Sequence, residues 1–308
     1  MKSPAVLLIL FRRPEQTRQV FEAIRQARPE RLYLAADGPR AHRRGEPEAC
    51  QATRAVVANV DWPCEVKTLF RDANVGIRRN VAEAITWFLN DVGEGIVLED
   101  DCLPGPDFFR FTAENLEKYR DDERVMQICG SGFVASTDTA DQSYYFSRYG
   151  HDWGWATWKR AWDRLDLPLV SLDAFLAEAD RTGFWDSRKE RRYWTYMFQR
   201  TKNLPIDTWD YQWIFSIWKE GGLSLYPNSN LVTNLGFGEH ATNTVQRESA
   251  KGGRPLESLG KMNHPVFVLR DRIADESTFR TMYWGSFLGR WKDRIGKWSR
   301  MARAGRGQ

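Results

Sequence analysis

The chain has 308 residues, 42% hydrophobic and 28% charged, the make-up of a soluble globular protein with room for one large domain or two smaller ones. From Trp284 to Gln308 seven Lys and Arg stand against one aspartate, so the formal +4 of the whole leaves the first 283 residues at −2. A nucleic-acid-binding body is thereby excluded, and no apolar run is long enough to span a bilayer.

Ala5 to Phe11 is a seven-residue apolar run. Arg12-Arg13-Pro14 follows with no small-residue cleavage site, so it reads as a buried first strand rather than a signal peptide. Val20, Phe21 and Ile24 give Glu15 to Ala27 a helical period. Arg31 to Ala36 is a second strand, stopped by Asp37-Gly38-Pro39. Ala41 to Glu48 is polar and reads as a loop, Gln51 to Val60 as a helix, Cys64 to Phe70 as a third strand. Asn74-Val75-Gly76 turns into a helix over Ile77 to Asn90, and Gly95 to Leu98 is a fourth strand. Strands alternating with helices predict an α/β fold with a central, mostly parallel sheet flanked by helices.

Beyond about residue 135 the pattern loosens. Asp107 to Tyr119 is helical and Val125 to Ser131 a strand; Ser143 to Arg164 is crowded with aromatics. Leu172 to Gln199 and Trp209 to Glu220 read as helices, Gly222 to Leu235 as a short strand and loop. With no repeat and no linker, residues 1–280 are expected to form one unit, of which 1–135 binds nucleotide and 136–280 acceptor. Residues 281–308 form a basic amphipathic tail. Trp284, Phe287, Leu288, Trp291, Ile295 and Trp298 share one helical stripe, while Arg290, Lys292, Lys297, Arg300 and Arg303 face elsewhere. That suits a helix lying on an anionic membrane surface, or one docked on the protein's own core. Four cysteines without CxxC spacing read as free thiols in a reducing, cytoplasmic compartment.

Glu99-Asp100-Asp101 directly follows the fourth strand. Three carboxylates there repel one another and call for a cation, and a divalent metal with oxygen ligands is the natural one. Ligands of α/β sheets bind at the carboxyl ends of strands. A solvated turn capping the next helix is the plain alternative.

Four blocks carry a family resemblance. They are Leu98-Glu99-Asp100-Asp101-Cys102-Leu103-Pro104 with Pro106-Asp107-Phe108-Phe109, then Gly150-His151-Asp152-Trp153-Gly154-Trp155-Ala156-Thr157-Trp158, then Trp209-Asp210-Tyr211-Gln212-Trp213, and Asn234-Leu235-Gly236-Phe237-Gly238. Together they resemble nucleotide-sugar glycosyltransferases of the GT-A fold. The likeness is to the bacterial family-2-like group sometimes labelled hemolytic protein, and more distantly to the eukaryotic N-acetylglucosaminyltransferase that starts hybrid N-glycans. The resemblance implies an inverting, metal-dependent glycosyltransferase of hexosyl or N-acetylhexosaminyl type, with Mn²⁺ or Mg²⁺ as cofactor. It also implies a nucleotide-sugar donor, a UDP-sugar above all, and a cell-surface glycan acceptor in polysaccharide biosynthesis, at the inner face of a bacterial membrane.

By the same resemblance Asp101 ligates the metal, Asp100 holds the ribose, Glu99 completes the acidic group, and Asp37 meets the uracil imide, though a turn aspartate before Gly-Pro reads equally well. Phe11 and Arg12 are placed to meet base and phosphates, with Arg13 solvated. One of Arg78 and Arg79, at a helix start, faces the nucleotide. Asp210, between aromatics, is the candidate general base; Asp207 competes, and a helix N-cap is the structural alternative for Asp210. Trp153 or Trp155 stacks on a sugar, against core packing as the other reading. His240 is a candidate metal ligand or a surface-loop histidine; the bacterial group carries an acid at that place and a histidine where Asn243 stands. A nucleotidyltransferase would want a glycine-rich basic loop after the first strand, which Phe11-Arg12-Arg13-Pro14 is not. A non-catalytic glycan-binding or adaptor protein is the remaining alternative.

Overall fold

The protein is described from a computed structural model covering residues 3–132, 142–236 and 254–284. The first strand, β1 (Val6–Leu10), is buried along its whole length, as a central strand covered on both faces must be. Its side chains alternate: Leu7 and Ile9 enter one core layer, Val6, Leu8 and Leu10 the other. Pro14 opens α1 (Pro14–Ala27), where its fixed φ and missing N–H cost nothing. β2 (Arg31–Ala36) pairs parallel to β1, and β3 (Glu65–Phe70) parallel to β2.

Between them α2 runs over Glu46–Val56, five residues earlier than its apolar pattern indicates at the start. Gly45 at φ 78° turns the chain in, and Glu46 and Glu48 complement the first turn. So part of the expected 41–48 loop is helix. α3 (Ile77–Val92) leads to β4 (Glu94–Glu99), which lies parallel to β1 on its other side. A three-residue strand not expected from the sequence, β5 (Cys102–Pro104), precedes α4 (Pro106–Lys118).

The later strands continue the same sheet. β6 (Val125–Cys129), β7 (Tyr144–Ser147), β8 (Trp155–Trp158) and β9 (Leu223–Pro227) give the order β3-β2-β1-β4-β8-β6-β9-β7. Only β8 and β7 oppose the other six, so the sheet is mostly parallel, as the strand-helix alternation indicates. It passes through the expected 135/136 boundary. The short α5 (Lys159–Trp162), α6 (Leu172–Thr182), α7 (Arg188–Asn203) and α8 (Asp210–Lys219) cover one face together with α3. α1 and α4 cover the other. β10 (Val232–Asn234) pairs antiparallel with β5, outside the main sheet.

The chain then runs to α9 (Arg272–Thr278) and a π-helix over Phe279–Trp284. Phe279 is buried in the α3–α8 layer, and Tyr283 and Trp284 pack against it. Trp284, the first residue of the tail's apolar stripe, thus packs on the body, as the docked reading expects for that residue. The other tail residues lie outside the described ones. All four cysteines are free, and no helix among the described residues is long and apolar enough to cross a membrane.

Candidate active site

The carboxyl ends of β1, β2 and β4 open into a cavity of about 330 Å³. Its wall includes Phe11 and Arg13 after β1, Asp37 and Arg40 after β2, Asn74, Gly76 and Ile77 at the start of α3, and Glu99, Asp100 and Asp101 at the end of β4. Asp152, Trp153, Asp207, Asn234 and Gly236 close it from the second half. Six carboxylates thus face two arginines.

Arg13 is the first cation on the acids. Its Nη1 donates to Asp100 Oδ1 at 2.9 Å and to Asp101 Oδ2 at 2.6 Å, so the expectation that Arg13 is solvated is corrected. The cause is connectivity. β1 and β4 are neighbours, so Phe11 and Arg13, just past β1, arrive beside the acids at the end of β4. Phe11 N also donates to Asp100 Oδ2 at 3.0 Å. Asp100 is buried with both oxygens engaged, and it ties β4 to β1 more than it offers itself to a ribose. Arg12, expected at the phosphates, points to Glu46 instead, 3.7 Å away, and is not part of the cavity wall. Arg40 is clamped on the same Glu46 and leans over the Phe11 ring, 5.6 Å from its centroid. Phe11 keeps its place in the wall.

Asp37 is spent on the loop before α3. Oδ1 accepts from Gly38 N at 2.9 Å and Val75 N at 3.0 Å, Oδ2 from Asn74 Nδ2 at 2.8 Å and Gly76 N at 3.2 Å. Four donors use the acceptor capacity of a carboxylate; the turn reading is the one its geometry supports, extended to a second loop. Asp207 takes the α3 terminus: Ile77 N and Arg78 N each donate to it at 2.8 Å. Gly76 makes this possible, at φ 88° with a Cβ position only 2.7 Å from Asp207 Oδ2. The helix start expected to meet phosphate thus already holds a carboxylate. Arg79 pairs with Glu83 on the surface, Arg78 is exposed, and neither belongs to the wall.

Gly154, at φ 61°, separates the two tryptophans of its block. Trp153 faces the cavity, with its ring 4.7 Å from that of His151. Trp155 enters β8 and is buried, stacked 5.7 Å from Trp209 and close to Trp162 and Trp213. A sugar contact by Trp155 is corrected to core packing.

Asp210 is the first residue of α8, not its cap; Trp209 holds that place, without a side-chain bond. Thr208 Oγ1 donates to the Asp210 carboxylate, and burial raises its pKa. Asp152 was not singled out by the sequence. Burial first, then the charges of Asp210 and Asp101, push it up to about 7. Burial pushes Asp100 up to about 6 against the pull of Arg13, and Glu99 is raised by burial and then by Asp101 and Asp152. An acid in a Gly-His-Asp-Trp-Gly turn was the available signal for Asp152; only the pairing of β8 with β4 brings it to the others.

On the fourth side β10 lies against β5, with Asn234 opposite Cys102. Leu235 N donates to Asp101 O at 2.7 Å, and a Cβ on Gly236 would stand 2.2 Å from Asp101 Oδ2. Only glycine lets the strand approach this carboxylate. His240 lies outside the described residues, as does Asn243. Among the described residues no three His, Cys, Asp or Glu side chains form a metal-holding set. The donors present fit a hard cation all the same. They are carboxylates whose charge Arg13 alone does not balance, and magnesium is commonly held by one or two carboxylates together with substrate phosphates.

No protein-family model matches the chain, and no curated protein matches it. Solved structures resemble parts of it, three of them as follows. GalNAc-T7 with UDP, GalNAc and Mn²⁺ is 10% identical with a TM-score of 0.45, over 80% of this chain and 45% of that one. HddC from Yersinia pseudotuberculosis is 11% identical with a TM-score of 0.32, over 51% of this chain and 77% of that one. UDP-glucose pyrophosphorylase complexed with UDP-glucose is 10% identical with a TM-score of 0.31, over 73% and 90%. The chain spans less than half the length of the GalNAc-T7 structure. All three scores lie below 0.5, so what those proteins bind or make says nothing of this chain.

Proposed function

We propose that the protein is a divalent-metal-dependent, inverting glycosyltransferase of the GT-A type, using a nucleotide sugar, UDP-linked above all, to glycosylate a hydroxyl of a cell-surface glycan. One observation carries this reading: a cavity at the strand ends whose wall holds six carboxylates and two arginines, of which Arg40 is already clamped by Glu46. A diphosphate enters so acidic a site only with a cation, and a site that concentrates uncompensated oxygen ligands attracts one. When bound, Mn²⁺ or Mg²⁺ supplies charge neutralisation on the leaving diphosphate; Asp101 is the residue that would hold it, and His240 is retained as a second candidate.

The chain's own groups divide the remaining work. Phe11 offers a flat face to the base, flanked by the guanidinium groups of Arg12 and Arg40. Arg13 holds Asp100 and Asp101 in fixed orientation. Trp153 offers a ring to an apolar sugar face. Asp210 accepts the proton of the acceptor hydroxyl, and its raised pKa brings it nearer the operating pH. Asp152, on the cavity wall, feels both Asp210 and Asp101.

The acceptor is proposed to grow at the cytoplasmic face of a bacterial membrane, with the basic, tryptophan-bearing tail supporting attachment there. Truncation after Trp284 should then weaken binding to anionic vesicles.

The decisive assay is hydrolysis and binding of a nucleotide-sugar panel with and without Mn²⁺; a protein that does neither is not this enzyme. Asp210→Asn is expected to lower kcat by about 10²–10⁴ with donor affinity intact. If Asp152→Asn does that and Asp210→Asn does not, the base is Asp152.

A further inference from the structure

Residues 263–271 close the open edge of the sheet. Ser143 N donates to Asn263 O and Asp271 N to Phe146 O, each at 2.8 Å, and Arg270 bridges Phe146 of β7. His264 Nδ1 bonds the Tyr144 hydroxyl at 2.8 Å, Val268 packs against the α1–α4 layer, and Arg270 is ion-paired to Asp186 and Asp275. The segment is therefore anchored at several points along its length. Yet between those anchors Val266 is 83% exposed, Phe267 69% and Leu269 71%, and Ile273 in the first turn of α9 is 64% exposed. Four large apolar side chains within eight residues, pinned outward by polar anchors on a rigid support, are not what a free surface carries by chance.

We infer that this edge strip is a membrane-contact surface, inserted into the headgroup region of an anionic bilayer. Charge decides the occupant. Lys261 and Arg272 stand exposed beside the strip, Arg272 while pairing with Asp186 and with Glu276 as the exposed acid nearby, and the chain beyond it carries the seven Lys and Arg of residues 284–308 against one acid. Apolar side chains rimmed by cations suit anionic lipid. The bilayer is the partner already proposed for the tail, but the strip adds a second attachment independent of it, made by folded residues on the last strand of the sheet.

The test uses the full chain and vesicles of neutral lipid or of neutral lipid with an anionic phospholipid. Wild type is expected to sediment with the anionic vesicles, and Phe267→Asp/Leu269→Asp to lose at least about tenfold in partitioning. Its melting temperature and Mn²⁺-dependent nucleotide-sugar binding should stay those of wild type, which separates failure here from failure of the enzymatic reading. Equal partitioning of wild type and double variant, or no binding by either, overturns the inference. So does resistance of Val266, Phe267 and Leu269 to covalent side-chain labelling without vesicles, lifted by truncation after Trp284, which would assign the strip to the chain's own C-terminal segment. A concentration-dependent dimer abolished by the double variant would assign it to a second copy and overturn it equally.

Discussion

Arg13 shows how a single residue alters the reading of a charge cluster. Three adjacent acids demand a cation, and the chain supplies one itself, bonded to Asp100 and Asp101. One guanidinium does not balance the group: burial still holds Asp100 at about 6 and Asp152 at about 7. Both values exceed the unfolded carboxylate range, so the native state binds these protons more tightly than the unfolded chain. The stability they favour is present at low pH and is lost as pH rises from about 4 through about 7. The metal-free protein should therefore melt higher at pH 5.5 than at pH 7.5, and Mn²⁺ should recover part of the difference at the higher pH. Arg13→Gln should steepen the dependence, because it raises the acids further. A melting temperature flat across this range, in wild type and variant alike, would show that the acids are solvated and the site is not charge-starved.

At the scale of elements, the pairing of β10 with β5 builds the side of the site that no periodicity could announce. β5 has three residues and its partner lies about 130 positions away, too short and too distant for a pattern of alternation. Gly236 is the trace it leaves in the sequence, because a Cβ there would overlap the Asp101 carboxylate. Gly236→Ala should thus displace Asp101 and lower Mn²⁺-dependent donor affinity by about tenfold or more. The melting temperature should change little, since the pairing of Val232 with Pro104 remains; titration calorimetry beside thermal melting checks both. The strands β1, β2, β4 and β6 were legible as buried apolar runs and the helices α1, α3, α4 and α8 by their apolar period, within a few residues, while the edge strand β3, without a buried residue, was legible from its β-branched and aromatic side chains alone. The start of α2 was not, because its first turn, Glu46-Pro47-Glu48, has no apolar period. The tryptophans were half legible. Their crowding marks a core, but whether a ring faces the core or the cavity depends on the φ of Gly154, and Trp153 and Trp155 part there. The arginines were least legible, since Arg12 and Arg13 differ only in which neighbouring strand or helix supplies a carboxylate.

For the whole molecule, the question is what joins the late elements to the sheet that carries the site. Arg148, just past β7, is buried to 4% of its side chain and ion-paired to Asp186, 3.1 Å away, and to Glu190 of α7. Its guanidinium lies between Phe184 and Trp218, 4.7 and 4.9 Å from their centroids, and donates to Phe184 O. Arg270 extends the group to Asp275 of α9, which also accepts from Ser147. One buried charge network thus bolts β7, the α6–α7 turn, α7 and α9 together. Removing a single partner leaves Glu190 charged and buried, so Arg148→Met should cost about 3–5 kcal/mol in urea unfolding. The exposed pair of Arg18 with Glu15 is the control, and its removal should not be measurable. If Arg148→Met proves equally silent, the late elements are held by the aromatic layer alone. If it costs what is expected, the strip at residues 266–273 inherits its rigidity from this network, because Arg270 belongs to both.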